Sequence, residues 1–182
     1  AGKAMCTGAL VSPDMVLTAA HCLFDPRSGQ EFAPKKIKFQ AGLRGGKAVA
    51  VRRVIRTNKH PKYEHRQKGQ AQLGHDLAVL KLESPISGGH VLPMQYGADL
   101  SNGDALGVVS YTIGNRSEPT LEYPCQVLAK QDDTVVMSCS VDFGASGAPV
   151  LALSKGKRPT VVSVVSAKAA MGGKTVSVGT ML

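Results

Sequence analysis

Gly74-His75-Asp76-Leu77-Ala78-Val79-Leu80-Lys81-Leu82-Glu83-Ser84-Pro85 is the stretch on which the fold turns. Its centre, Leu77 to Leu82, is apolar except for Lys81 and too short for a helix. Turn formers bound it on both sides, so it reads as a buried strand. The same grammar recurs in both directions. Val16-Leu17-Thr18 follows the turn Ser12-Pro13-Asp14, and Ile37 to Gln40 and Val49 to Ile55 alternate. Leu106 to Tyr111, Gln126 to Ala129, Val135 to Ser140, Val161 to Ser166 and Thr175 to Val178 read the same way. With 20 Gly and 10 Pro in 182 residues, turn signals separate nearly every pair. The nearest approach to a helical period is Thr18 to Leu23, one short turn. The expected class is all-β, a sandwich or barrels.

Composition narrows the function classes. Hydrophobic residues make up 43% and charged residues 19%, which argues for a packed core and against disorder. The 22 basic and 13 acidic residues leave a formal charge of +9. A basic balance draws attention to anionic partners. Only 4% of residues are aromatic and none is Trp. Stacking platforms for single strands need aromatics, so no nucleic acid is expected. The densest basic patch, Arg52, Arg53, Arg56, Lys59 and Lys62, is interleaved with apolar residues and reads as the solvated face of a strand. No stretch approaches the run of about 20 apolar residues that spans a bilayer. Ala1-Gly2-Lys3-Ala4-Met5 has no long apolar segment behind its Lys, so the sequence reads as a mature chain without a signal peptide.

Ser84-Pro85-Ile86-Ser87-Gly88-Gly89-His90 is the best linker candidate and divides the chain into 1–89 and 90–182. Cysteines stand at 6, 22, 125 and 139, with no C-x-x-C spacing to suggest a zinc ribbon. Four cysteines admit three connectivities. Local pairing would give Cys6–Cys22 and Cys125–Cys139, bridges that imply an oxidising compartment. Asn115-Arg116-Ser117 fits the N-glycosylation pattern, a triplet common by chance.

Three segments hold the candidate chemistry. Leu17-Thr18-Ala19-Ala20-His21-Cys22 supplies a His. His75-Asp76-Leu77-Ala78-Val79-Leu80-Lys81-Leu82 supplies an Asp. Asp142-Phe143-Gly144-Ala145-Ser146-Gly147-Ala148-Pro149-Val150 supplies a Ser. A Ser hydroxyl is a weak nucleophile at neutral pH. A neighbouring His can take its proton, and a buried carboxylate can fix the His tautomer and stabilise the imidazolium.

These segments resemble the trypsin-like, chymotrypsin-fold serine proteases, in particular secreted bacterial members. Thr18-Ala19-Ala20-His21-Cys22 matches the family's His box. Cys6-Thr7-Gly8-Ala9-Leu10-Val11 matches its Cys-x-Gly-x-Leu-Val opening. Residues 76–82 followed by Ser84-Pro85-Ile86 match its Asp strand, 144–149 match Gly-x-Ser-Gly-x-Pro, and His60-Pro61-x-Tyr63 resembles a further segment. The order His, Asp, Ser is the chymotrypsin order. The resemblance implies two packed antiparallel β-barrels with the active site in the cleft between them. His21 and Asp76 would lie on the first barrel and Ser146 on the second. It implies a serine endopeptidase with Ser146 as nucleophile, His21 as general base and then acid, and Asp76 orienting His21. The amides of Gly144 and Ser146 would form the oxyanion hole. A polypeptide is the implied substrate, and no cofactor or metal is implied.

Two departures stand out. Ala145 occupies the position of an Asp that, in trypsin-like zymogens, pairs with a newly cut N-terminal amine. Either the turn is preformed here or catalysis is poor. Ser140 stands at the position of trypsin's acidic pocket residue. Ser163 or Ser166 would lie on the strand that lines the pocket, with Lys168 near its mouth. A small or polar pocket is expected, tolerant of acidic side chains through Lys168. His60 and His65 are expected to be exposed, and His75 to pack against the Asp76 strand. A metal set of His60, His65, His75 and Asp76 fits no strong template. The competing function is a catalytically silent relative whose basic surface binds an anionic partner. The complete His, Asp and Ser boxes argue against it, and Ala145 argues for it.

Overall fold

The computed structural model describes residues 4–66, 69–97, 99–100, 102–154 and 156–182; Ala1 to Lys3 lie outside the described residues. Five strands come first. They are β1 (Ala9–Ser12), β2 (Met15–Thr18), β3 (Lys38–Ala41), β4 (Ala50–Lys59) and β5 (Ala78–Leu82). They form one antiparallel sheet in the order β1-β2-β5-β4-β3. Seven follow: β6 (Gln95–Tyr96), β7 (Ala105–Thr112), β8 (Asn115–Gln131), β9 (Thr134–Met137), β10 (Pro149–Ala152), β11 (Thr160–Met171) and β12 (Lys174–Met181). Pairing runs β10-β7-β8-β9-β12-β11, and an additional β10–β11 pairing closes these six strands into a barrel. The short β6 adds in parallel to the outside of β11. The fold is therefore all-β of the chymotrypsin type, with the second barrel closed and the first a curled half-barrel among the described residues.

Side-chain period explains the sheets. Along β5, Ala78, Leu80 and Leu82 are buried while Val79 and Lys81 are half-exposed. The Lys81 ammonium reaches Asp14 at the rim. The first sheet closes over Leu10, Val16, Leu23, Val54, Leu80 and Leu82. The second encloses Leu106, Val108, Val135, Met137, Val150 and Val165. A third cluster joins them: Leu17 and Ala19 from the first half pack with Leu151, Val161 and Val164 from the second. Burial of this kind contributes roughly 25 cal/mol per Å² of apolar area. It fixes how the two sheets face each other, and so where the loop after β2, the loop before β5 and the turn before β10 meet.

His60 and His65 depart from the expected exposure and are half-buried. The ring of His65 stacks on Phe24 with centroids 3.9 Å apart, and His60 stacks on His75 at 4.8 Å. Stacking covers one face of each ring, which a basic composition does not forecast.

Candidate active site

The short 3-10 turn Ala20–Leu23 follows β2 and presents His21 at the end of the first sheet. Asp76 immediately precedes β5, the neighbour of β2, so register alone brings the two residues together. Asp76 is only 2% exposed. Its Oδ1 accepts the backbone N–H of His21 at 2.8 Å, and its Oδ2 accepts the ring Nδ1–H at 2.6 Å. With the Nδ1 proton committed to the carboxylate, the lone pair of the neutral ring lies on Nε2. The His21 side chain retains 30% exposure, so that nitrogen is reachable.

A further donor reaches the same carboxylate. The Ser166 hydroxyl, buried on β11, hydrogen-bonds Asp76 Oδ2 across the junction of the two halves. The sequence marks Ser166 only as a pocket candidate. A buried carboxylate needs several donors to remain charged, and that requirement is the signal that could have nominated a nearby hydroxyl.

Ser146 lies in the turn before β10. Its carbonyl accepts the amide of Thr7 at 2.8 Å. Thr7 adjoins Cys6, which is disulfide-bonded to Cys22, the residue next to His21. The residue after Ser146 is pressed against the same segment. A Cβ on Gly147 (φ +79°) would come within 2.1 Å of Thr18 Oγ1 and 2.3 Å of the Thr7 carbonyl oxygen. The second disulfide, Cys125–Cys139, ties β8 to the segment after β9. The sulfurs of Cys6 and Cys22 lie within 4.8 Å of a His21 ring nitrogen, but they are joined to each other and are not thiolate ligands.

The turn itself is pinned unit by unit. The Phe143 carbonyl accepts the Ile113 amide at 2.7 Å, and the Ala145 carbonyl accepts the Ala148 amide at 2.9 Å. In a trans peptide the C=O and the next N–H point in opposite directions. The N–H groups of Gly144 and Ser146 therefore face away from those partners. Among the described residues no hydrogen bond occupies either amide. Gly144 adopts φ +97°, a conformation that side chains resist. Ala145 is fully buried among apolar neighbours.

The pocket candidates separate. Ser140 is exposed, and its amide donates to Glu122 Oε1 at 2.7 Å. Ser163 is fully buried inside the barrel, where its hydroxyl donates to the Thr180 carbonyl at 2.8 Å. Lys168 sits two residues beyond Ser166. Its Nζ lies 3.8 Å from Asp142 Oδ1 and 5.6 Å from the centroid of the Phe143 ring, which is 74% exposed.

A two-sheet β-fold with His, Asp and Ser on these three loops defines the serine-protease class of architecture. Residues 6–162 match the model of the trypsin-like peptidase domain, and the chain belongs to that family. It is 31% identical over 94 residues to the thrombin-like enzyme flavoxobin of Protobothrops flavoviridis, covering 51% of this chain and 32% of that protein. It is 34% identical over 93 residues to the modular serine protease of Drosophila melanogaster, covering 48% and 14%. The chain thus spans a third or less of these curated relatives. Among solved structures, a Glu endopeptidase in complex with MPD superposes with a TM-score of 0.76 at 20% identity, covering 99% of this chain and 80% of that one. The thermostable serine protease AL20 from an extremophilic microorganism gives 0.74 at 20% identity, covering 97% and 83%. Likeness at that identity is a likeness of fold. Among the described residues no helix is long and apolar enough to cross a membrane.

Proposed function

We propose that the protein is a serine endopeptidase that hydrolyses peptide bonds through an acyl-enzyme on Ser146. The observation that supports this best is the hydrogen-bonded pair His21 Nδ1–Asp76 Oδ2 at 2.6 Å, which leaves Nε2 as the base. In this reading Nε2 takes the Ser146 hydroxyl proton as the oxygen attacks the scissile carbonyl. The C–O bond forms, the carbonyl becomes an oxyanion, and the Gly144 and Ser146 amides stabilise it. Imidazolium then gives its proton to the leaving amine as the C–N bond breaks. Water hydrolyses the ester by the same route in reverse. Losing one such amide donor typically costs about 2.7–4 kcal/mol of barrier.

The half-barrel 1–89 would carry the base and its orienting acid, and the barrel 90–182 the nucleophile. Ser140, Ser163, Ser166 and Lys168 were the candidates for the specificity pocket. With Ser163 and Ser166 engaged elsewhere, we assign the pocket mouth to Ser140 and Lys168. The cation there favours acidic side chains, and Asp142 competes for it. Two disulfides fit an oxidising, extracellular or periplasmic setting. Hydrolysis of an unstructured protein substrate tests the reading. The parent cleaves it and Ser146→Ala does not; equal cleavage by both would refute it.

A further inference from the structure

Thr7 holds the nucleophile turn through both its amide and its hydroxyl. Its amide donates to the Ser146 carbonyl at 2.8 Å. Its hydroxyl donates to the Gly144 carbonyl at 3.0 Å, with the Tyr111 carbonyl at 3.3 Å as the longer alternative. The same hydroxyl accepts the Tyr111 amide at 3.0 Å. Its carbonyl accepts the Thr18 hydroxyl at 2.9 Å. Thr7 is only 6% exposed, so these bonds face little competition from water.

The consequence follows peptide by peptide. Four successive peptide units run from Phe143 to Gly147, and a partner holds the carbonyl of each. Ile113 holds the first and Ala148 the third. Thr7 holds the second through its hydroxyl and the fourth through its amide. Gly144, at φ +97°, has no side chain to resist rotation of the second unit. The other end of that unit, the Ala145 amide, donates to the Asp142 carbonyl at 3.0 Å. Without the Thr7 hydroxyl, the Gly144 carbonyl has no partner in a buried setting and the unit is held at one end only. The Gly144 amide belongs to the first unit and the Ser146 amide to the third, so Thr7 holds the unit that joins the two donors. Ala145, the next residue, is buried without charge and supplies no ion pair to steady the turn.

We propose that Thr7 is a positioning residue for catalysis: from the first half of the molecule, its hydroxyl holds the Gly144 turn of the second half in the orientation that stabilises the oxyanion. This rests on the endopeptidase reading above. It makes the turn preformed, and it locates the cause in a side chain rather than in a charge at 145. The Met5 methyl group lies 2.7 Å from where a Gly144 Cβ would stand and backs the same turn from the same segment.

The test compares Thr7→Val, which keeps the shape and removes the hydroxyl, with Thr7→Ser, which restores it. Thr7→Val is expected to lose kcat at least tenfold with KM within about twofold, because the oxyanion exists only beyond the ground state. Thr7→Ser is expected within about threefold of the parent. A peptide aldehyde, which forms a tetrahedral adduct, should bind Thr7→Val more weakly in the same proportion as kcat/KM falls. The Kd of an uncleaved product peptide should be unchanged. A merely structural role would not split those two affinities. Should Thr7→Val fail to fold by circular dichroism, Thr7→Ala is measured in its place. The proposal is overturned by a folded Val or Ala variant with kcat within twofold of the parent, or by equal weakening of both ligands. A parent that forms no covalent fluorophosphonate adduct on Ser146 would overturn the endopeptidase reading itself, and this inference with it.

Discussion

The Ser166 hydroxyl and the Asp76 carboxylate are hydrogen-bonded across the junction of the two sheets. That bond makes the orienting acid of the first half depend on the second. Asp76, only 2% exposed, thereby accepts from His21 twice and from Ser166 once. Removing the hydroxyl leaves a buried acceptor short of a donor. A hydrogen bond to a charged group contributes about 1.5–3 kcal/mol. Ser166→Ala is therefore expected to lower stability by about 2 kcal/mol and kcat/KM by roughly tenfold. Denaturant unfolding and peptide hydrolysis measure the two effects; unchanged values for both would show that Ser166 does not support Asp76.

Gly147 permits a close approach between the halves. A Cβ there would lie 2.1 Å from Thr18 Oγ1 and 2.3 Å from the Thr7 oxygen, at φ +79°. The backbone strain alone costs about 1–2 kcal/mol, and the overlap adds to it. Gly147→Ala is expected to lower Tm by several degrees and to reduce activity sharply, because the turn bearing Ser146 must back away from the His21 segment. Thermal unfolding and hydrolysis check this together. A variant with parental Tm would mean that the contact is looser than described.

Lys168 links the exposed Phe143 ring to the strand that carries Ser166. Reversing its charge places a carboxylate beside Asp142, 3.8 Å from the present ammonium. Lys168→Glu is expected to shift a peptide-library profile away from acidic and toward basic side chains before the cut, by roughly tenfold in kcat/KM ratio. A strong Arg or Lys preference in the parent would contradict the assignment.

The His60 and His75 rings stack 4.8 Å apart. Burial, then the nearby His75 and Lys62, hold the His60 pKa below the ordinary imidazole value of 6.5, with Asp133 opposing. The folded state thus binds that proton less readily than the unfolded chain. Stability contributed this way is present above 6.5 and lost as pH falls through the lowered value. Tm should drop on acidification below 6.5, and His60→Gln should flatten that limb. A variant with the same acid slope as the parent would assign the loss to other groups.

Much of this was legible in the sequence, for reasons tied to particular residues. The β5 strand stood out because its apolar run ends at Ser84-Pro85. His21 and Asp76 were legible because the spacing of short local motifs survives folding. β8 was less so. Pro119 and Pro124 argue against a strand, and only Gln126 to Ala129 was expected. The structure accommodates Pro124 where the β7–β8 register skips between Leu106 and Val108, an irregularity at which a missing N–H costs little. β1 and β10 are short and flanked by no alternation, and they form because β2, β7 and β11 are there to pair with them. The roles of Ser166 and Thr7 had no local pattern at all. Both depend on contacts 90 and 137 residues away along the chain.

One measurement bears most directly on the proposed convergence of His21, Asp76 and Ser146. The protein is treated with a fluorophosphonate at neutral pH and the modified residue is located by peptide mass spectrometry. A single adduct on Ser146, formed rapidly by the parent and at least about a thousandfold more slowly by His21→Ala, is the expected result. Absence of the adduct, or labelling at an undiminished rate without the imidazole, would contradict it.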